Sequence, residues 1–152
     1  MNTKDSIEQL LEDELSAIET YECLLAKFKL PDGHLLPGGH FVRVSLNPLL
    51  KDHENAVSTL KTKAQQENAT LKSSAVWSNI EKLVLEQPKF VGKKAAVQDL
   101  LVGEKNIEGD YLQALENSSL DLEVRRLIED ELLPSQQAHI RSLDRIIEVL
   151  AA

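Results

Sequence analysis

Apolar residues recur at steps of three and four along four long stretches of this chain, and no stretch alternates apolar and polar residues as a half-buried strand would. Each stretch therefore predicts a helix with one apolar stripe. Such helices must bury their stripes against one another, so the pattern predicts an all-α, four-helix bundle. The first helix is expected over about residues 4–29, on Ile7, Leu10, Leu11, Leu15, Ile18, Leu25 and Phe28, with Asp5 or Ser6 as its cap. The second is expected over 40–66, on Val42, Leu46, Leu49, Val57, Leu60 and Ala64. Its stripe continues across Pro48, which predicts a helix kinked at the proline rather than one starting there. The third is expected over 88–117, on Phe90, Ala95, Val97, Leu100, Leu101, Ile107, Leu112 and Leu115. The fourth is expected over 121–150, capped by Asp121 or Ser119 and interrupted by Pro134, on Leu122, Leu127, Ile128, Leu132, Leu143, Ile146 and Leu150. Between the second and third, Val76, Trp77, Ile80, Val84 and Leu85 predict a short helix over 75–86 within a long crossover, with Trp77 as a core plug.

The 152 residues suit a single domain, 1–152, and 42% hydrophobic with 28% charged residues is a globular balance. A net charge of -8 and the absence of a basic tail argue against a nucleic-acid partner. No apolar run approaches the ~18 residues that would span a bilayer, so no membrane partner is expected. No apolar leader opens the chain, which favours a cytoplasmic location. The partner expected, if any, is a second copy of the chain. Cys23 is the lone cysteine and reads as a small core residue; His34 and His40 read as solvated.

Four polar residues break the stripes at inward positions: Glu14, His53, Glu104 and His139. They come in two matched pairs. Tyr21 follows Glu14 by seven residues and Tyr111 follows Glu104 by seven; Pro48 precedes His53 by five and Pro134 precedes His139 by five. Di-metal sites in helical bundles use a Glu on each of two helices and a Glu-x-x-His pair on each of the other two. Half of that pattern is here. Three residues before His53 stands Leu50, which cannot ligate, and three before His139 stands Gln136, whose amide is neutral. Two negative charges are thereby lost, and a full di-iron centre is not expected. Two readings stay open. The two Glu and two His can hold one Fe, Zn or Mn ion, with Gln136 and Glu108 as auxiliaries. Alternatively they form a metal-free, hydrogen-bonded network in the core. In either, Tyr21 and Tyr111 are core aromatics with their hydroxyls on the central glutamates. Gly103, in a helix interior where glycine costs ~1 kcal/mol relative to alanine, suggests a close approach beside Glu104. No Ser or Cys stands beside a His at a recognisable spacing and no phosphate loop is present, so no catalytic residue is assigned.

The stretch from Glu14 to Tyr21, Asp52-His53 followed by Ala56-Val57, Ser74 to Trp77, Gly103-Glu104 to Tyr111, and Leu132 to Pro134 with Gln137 to Ile140 resemble the ferritin-like superfamily. The first and third helices resemble those of rubrerythrin-type proteins. The whole chain more closely resembles a bacterial family of ferritin-like four-helix bundles of unassigned function. The resemblance implies an up-down helix pair, a long crossover holding a short helix, and a second up-down pair. Family members of known function store iron, reduce peroxides or oxidise ferrous iron. Those activities need the carboxylates that Leu50 and Gln136 replace, so ferroxidase or peroxidase activity is not expected. What remains is a reduced metal site or a metal-free network in a stress- or metal-related protein, against a non-enzymatic bundle acting as an interaction or dimerisation module.

Overall fold

The computed structural model describes residues 2–27, 39–66 and 93–151. Among these there are four long helices and no strand, and no helix is long and apolar enough to cross a membrane. Helix α1 spans Thr3–Lys27, α2 spans Gly39–Gln66 and α3 spans Lys93–Glu116. The last, α4, covers residues 122–151 as an α-helical turn and a half (Leu122–Leu127), a π-helical segment (Ile128–Leu132) and a longer α-helix (Leu133–Ala151). The expected short helix over 75–86, with Trp77, lies outside the described residues, as do Phe28, His34 and Phe90.

Side-chain pairs give the helix directions. Tyr21 reaches Glu104 while Tyr111 reaches Glu14, so α1 and α3 are antiparallel. Gln136 meets Glu104 while Arg125 meets Leu115, so α3 and α4 are antiparallel. Asp52 meets His139 while Lys63 meets Glu123, so α2 and α4 are antiparallel too. It follows that α2 and α3 point the same way. The end of α2 and the start of α3 therefore lie at opposite ends of the bundle. The α1–α2 and α3–α4 pairs pack most extensively, α1–α3 comes next, and α2–α4 is the loosest of the four neighbouring pairs.

The helix ends follow local chemistry. Asn2 caps α1, its Oδ1 accepting the Asp5 N–H at 2.8 Å, so the start lies a few residues earlier than the expected cap at Asp5 or Ser6. Asparagine is as good a cap as either, and its position lets the helix gain a further turn. Asp121 caps α4 as expected, accepting from the Val124 N–H at 3.3 Å. Arg125 donates to the carbonyls of Leu115 and Asn117, both at 2.8 Å, and closes the C-terminus of α3.

Pro48 and Pro134 sit inside helices. The helix α2 runs through Pro48, as the uninterrupted stripe predicts; Pro48 is exposed, and the carbonyl it leaves unbonded belongs to Val44, itself on the solvent side. Pro134 is accommodated differently. The turn before it widens, with the Leu133 N–H bonding Ile128 O, five residues back. A proline at 134 cannot donate to Asp130, and an enlarged turn ahead of it absorbs that loss.

The core is formed by Ile7, Leu10, Leu11 and Leu24 of α1, Leu46 and Leu60 of α2, Leu100 and Ile107 of α3, and Ile128 and Leu143 of α4, with Tyr21 and Tyr111 between them. Three expected core residues face outward. Leu112 and Leu122 are exposed, and Ala95 is exposed while Ala96 is buried. Neighbours on a helix are ~100° apart, and in a pair of alanines hydrophobicity gives no reason to choose between them. Leu122 stands in the first turn of α4, whose buried position is Val124. Cys23 is partly buried against the core, and His40 is exposed.

Candidate functional site

Seven residues are about two helical turns. On antiparallel α1 and α3, that spacing sets the tyrosine of each helix opposite the glutamate of the other. Tyr21 donates to Glu104 Oε1 at 2.5 Å, and Tyr111 donates to Glu14 Oε1 at 2.7 Å. Both tyrosines are fully buried, and the phenols are pushed well above their ordinary value, by burial first and then by the glutamate charges.

His53 enters between the two glutamates from α2. Its Nδ1 bonds Glu14 Oε2, and its Nε2 bonds Glu104 Oε1 at 2.6 Å. An ionised carboxylate only accepts, so with both glutamates ionised both ring nitrogens must donate, which makes the ring an imidazolium. Burial alone would lower the His53 pKa, but the charges of Glu104 and Glu14, with the hydrogen bonds they accept, carry it well above the ordinary 6.5. For Glu104, burial would raise the pKa. The charge of His53 beside it, its hydrogen bond and the proximity of His139 instead hold it far below the usual carboxylate range. The expected Glu–His pairing is thus present as a buried, hydrogen-bonded row: Tyr111, Glu14, His53, Glu104, Tyr21.

Gln136 and His139 close the row from α4. The Gln136 Nε2 donates both to the Glu104 backbone carbonyl at 2.9 Å and to Glu104 Oε2. Both partners are acceptors, so the amide nitrogen, not the oxygen, must face them. Gln136 therefore clamps Glu104 rather than standing in for a ligating carboxylate. Leu50 is partly buried against the core and adds no polar atom. Glu108 is half-buried and takes no part in the cluster, so its expected auxiliary place is not filled.

The His139 ring is 4.8 Å from the His53 ring, centre to centre. Its Nε2 meets Asp52 Oδ2 at 2.9 Å. Its buried Nδ1 has no hydrogen-bond partner and stands 3.6 Å from Glu104 Oε2. His53, Glu104 and His139 together present ligand atoms within 4.8 Å of one another; Glu14 joins only through His53. Ser135 Oγ is 3.5 Å from the same Nε2 that Asp52 occupies. A nucleophilic triad needs its acid and its hydroxyl on different ring nitrogens, so these three residues do not form one.

A cavity of about 220 Å³ opens between α2 and α4 over this end of the row. Asp52, Asn55 and Thr59 line one side, Glu131, Leu132, Ser135 and Gln136 the other, and Glu14 and His139 also reach it. The π-helical segment ends at its edge. In the sequence Asp52 is next to His53, which marks it as close to the site but not as the partner of a histidine on another helix. Comparison with family models, with characterised proteins and with solved structures returns no match.

Proposed function

We propose that this chain is a ferritin-like bundle whose centre has been reduced from a di-metal site to a site for one divalent transition metal ion, Fe, Zn or Mn. The contact between Glu104 Oε2 and His139 Nδ1 carries the reading. At 3.6 Å it is too long for a hydrogen bond. Two ligand atoms, each about 2.1 Å from one tetrahedral ion, stand about 3.4 Å apart. A buried nitrogen without a partner, at that distance from a buried carboxylate, fits two ligands of one metal. His53 becomes the third candidate ligand where the ion displaces its Nε2 proton, and Glu14 supplies the second negative charge beside it. Glu104 and Glu14 together match one divalent ion; Leu50 is apolar and Gln136 donates its amide, so neither of these positions supplies the charge a second ion would need. Such an ion would supply Lewis acidity and, if Fe or Mn, one-electron chemistry. The fold assignment is supported by parallel α2 and α3, which require a connection between opposite ends of the bundle.

Metal analysis of protein purified without chelator, followed by titration with Zn²⁺, tests the reading. About one equivalent is expected. Less than about a tenth of an equivalent, with no uptake on titration, overturns it. The placement of His53 favours the other reading in that event: an imidazolium bridging two carboxylates is a complete metal-free network and would leave the protein a structural or interaction module.

A further inference from the structure

We propose that Asp52 is a positioning residue that holds the proton of His139 on Nε2, so that Nδ1 presents a bare lone pair to Glu104. The proposal rests on the metal-site reading for its purpose, but not for its geometry.

A neutral imidazole carries one N–H, and whichever ring nitrogen faces the stronger acceptor keeps it. Nε2 of His139 lies 2.9 Å from Asp52 Oδ2, a true hydrogen-bond distance to a group that, ionised, only accepts. Nδ1 lies 3.6 Å from Glu104 Oε2, outside that range, and has no other partner. The two carboxylates compete for one proton, and geometry favours Asp52. His53 is the contrast, since its two nitrogens both lie at bonding distance from carboxylates and neither is left open. Metal-ligating histidines commonly have the second nitrogen tied to a carboxylate in this way, which orients the ring and strengthens the ligand.

Ser135 explains what removing Asp52 would do. Its hydroxyl is 3.5 Å from the same Nε2 and, unlike a carboxylate, can donate as well as accept. Without Asp52, a donating Ser135 would free the proton to move to Nδ1, where Glu104 attracts it. Asp52 is 49% exposed at the cavity mouth, so its replacement disturbs little packing.

The test is long-range ¹H–¹⁵N NMR of the histidine rings in metal-free protein, alongside Zn²⁺ titration. Wild type is expected to show His139 protonated on Nε2. Asp52→Ala should shift the proton toward Nδ1 and weaken Zn²⁺ binding by about 10- to 100-fold. Asp52→Asn, which keeps an acceptor but not the charge, should recover part of both. A proton on Nδ1 in wild type overturns the proposal, as does an Asp52→Ala variant with unchanged tautomer and affinity. The expected tautomers with no Zn²⁺ uptake by wild type would sustain the role of Asp52 and overturn the metal reading alone.

Discussion

The α1–α3 seam and the α2–α4 seam are built from equally repetitive sequence, yet only one is symmetric in the fold. Glu14 with Tyr21 and Glu104 with Tyr111 close on each other as reciprocal hydrogen bonds, fully buried. His53 and His139 also follow matched prolines, but His53 sits between two carboxylates while His139 turns to Asp52 and leaves one nitrogen open. The helix behind His53 continues through its proline; the one behind His139 widens into a π turn beside a cavity. The symmetric seam is a stabilising element. The asymmetric seam leaves a buried histidine nitrogen without a partner beside a cavity, which is what the proposed metal site needs.

Variants can break this comparison. The largest effect is expected at Glu104, which takes bonds from Tyr21, His53 and Gln136. Glu104→Ala leaves a buried imidazolium short of a partner and should cost about 3–5 kcal/mol in urea unfolding. A cost below about 1 kcal/mol would show that the row is not charge-paired in solution.

Titration examines the same pair without mutation. Glu104 has a folded pKa below its ordinary 4.5, so its contribution is complete above that value and is lost as pH falls toward the folded one. His53 has a folded pKa above 6.5, so its contribution is complete below 6.5 and is lost as pH rises through the folded one. The pair should therefore stabilise most between about 4.5 and 6.5, with unfolding free energy declining on both sides. Wild type compared with Glu104→Gln across pH isolates that plateau; the same profile in both would remove the pair from the account.

His139→Ala should be milder, about 1–2 kcal/mol, because it gives up one good hydrogen bond and borders a cavity already open. A loss equal to that of His53→Ala would erase the distinction between the seams. Tyr21→Phe and Tyr111→Phe should each cost about 1–2 kcal/mol and match one another, as reciprocal bonds require. The smallest effect belongs to Lys63→Ala. Its pair with Glu123 spans α2 and α4 at 2.9 Å, but Glu123 is mostly exposed, and less than about 1 kcal/mol is expected.

Much of the cluster is legible in the sequence. Glu14, His53, Glu104 and His139 interrupt apolar stripes, and an ionisable residue on a buried stripe must find partners. That the tyrosine hydroxyls bond the central glutamates is expected from the sequence, whereas which glutamate each one meets depends on the antiparallel packing of α1 and α3. Asp52 was harder to place. It lies one residue from His53, hence off the buried stripe, and its bond to His139 depends on how closely α2 and α4 approach. Gln136 looked like a weakened ligand because its position matches a ligand position; only the two acceptors facing it identify it as a donor.

By itself, the sequence determined four helices, their buried faces and the polar residues on those faces. Periodicity along a helix is a local property, set by 3.6 residues per turn, and needs no neighbour to be read. Only the tertiary structure decided which partner each polar residue has. Hydrogen bonds depend on differences of a few tenths of an ångström between side chains from different helices. The contact between His139 and Glu104 is 3.6 Å where that at His53 is 2.6 Å, and that ångström separates a closed ion pair from a nitrogen without a partner.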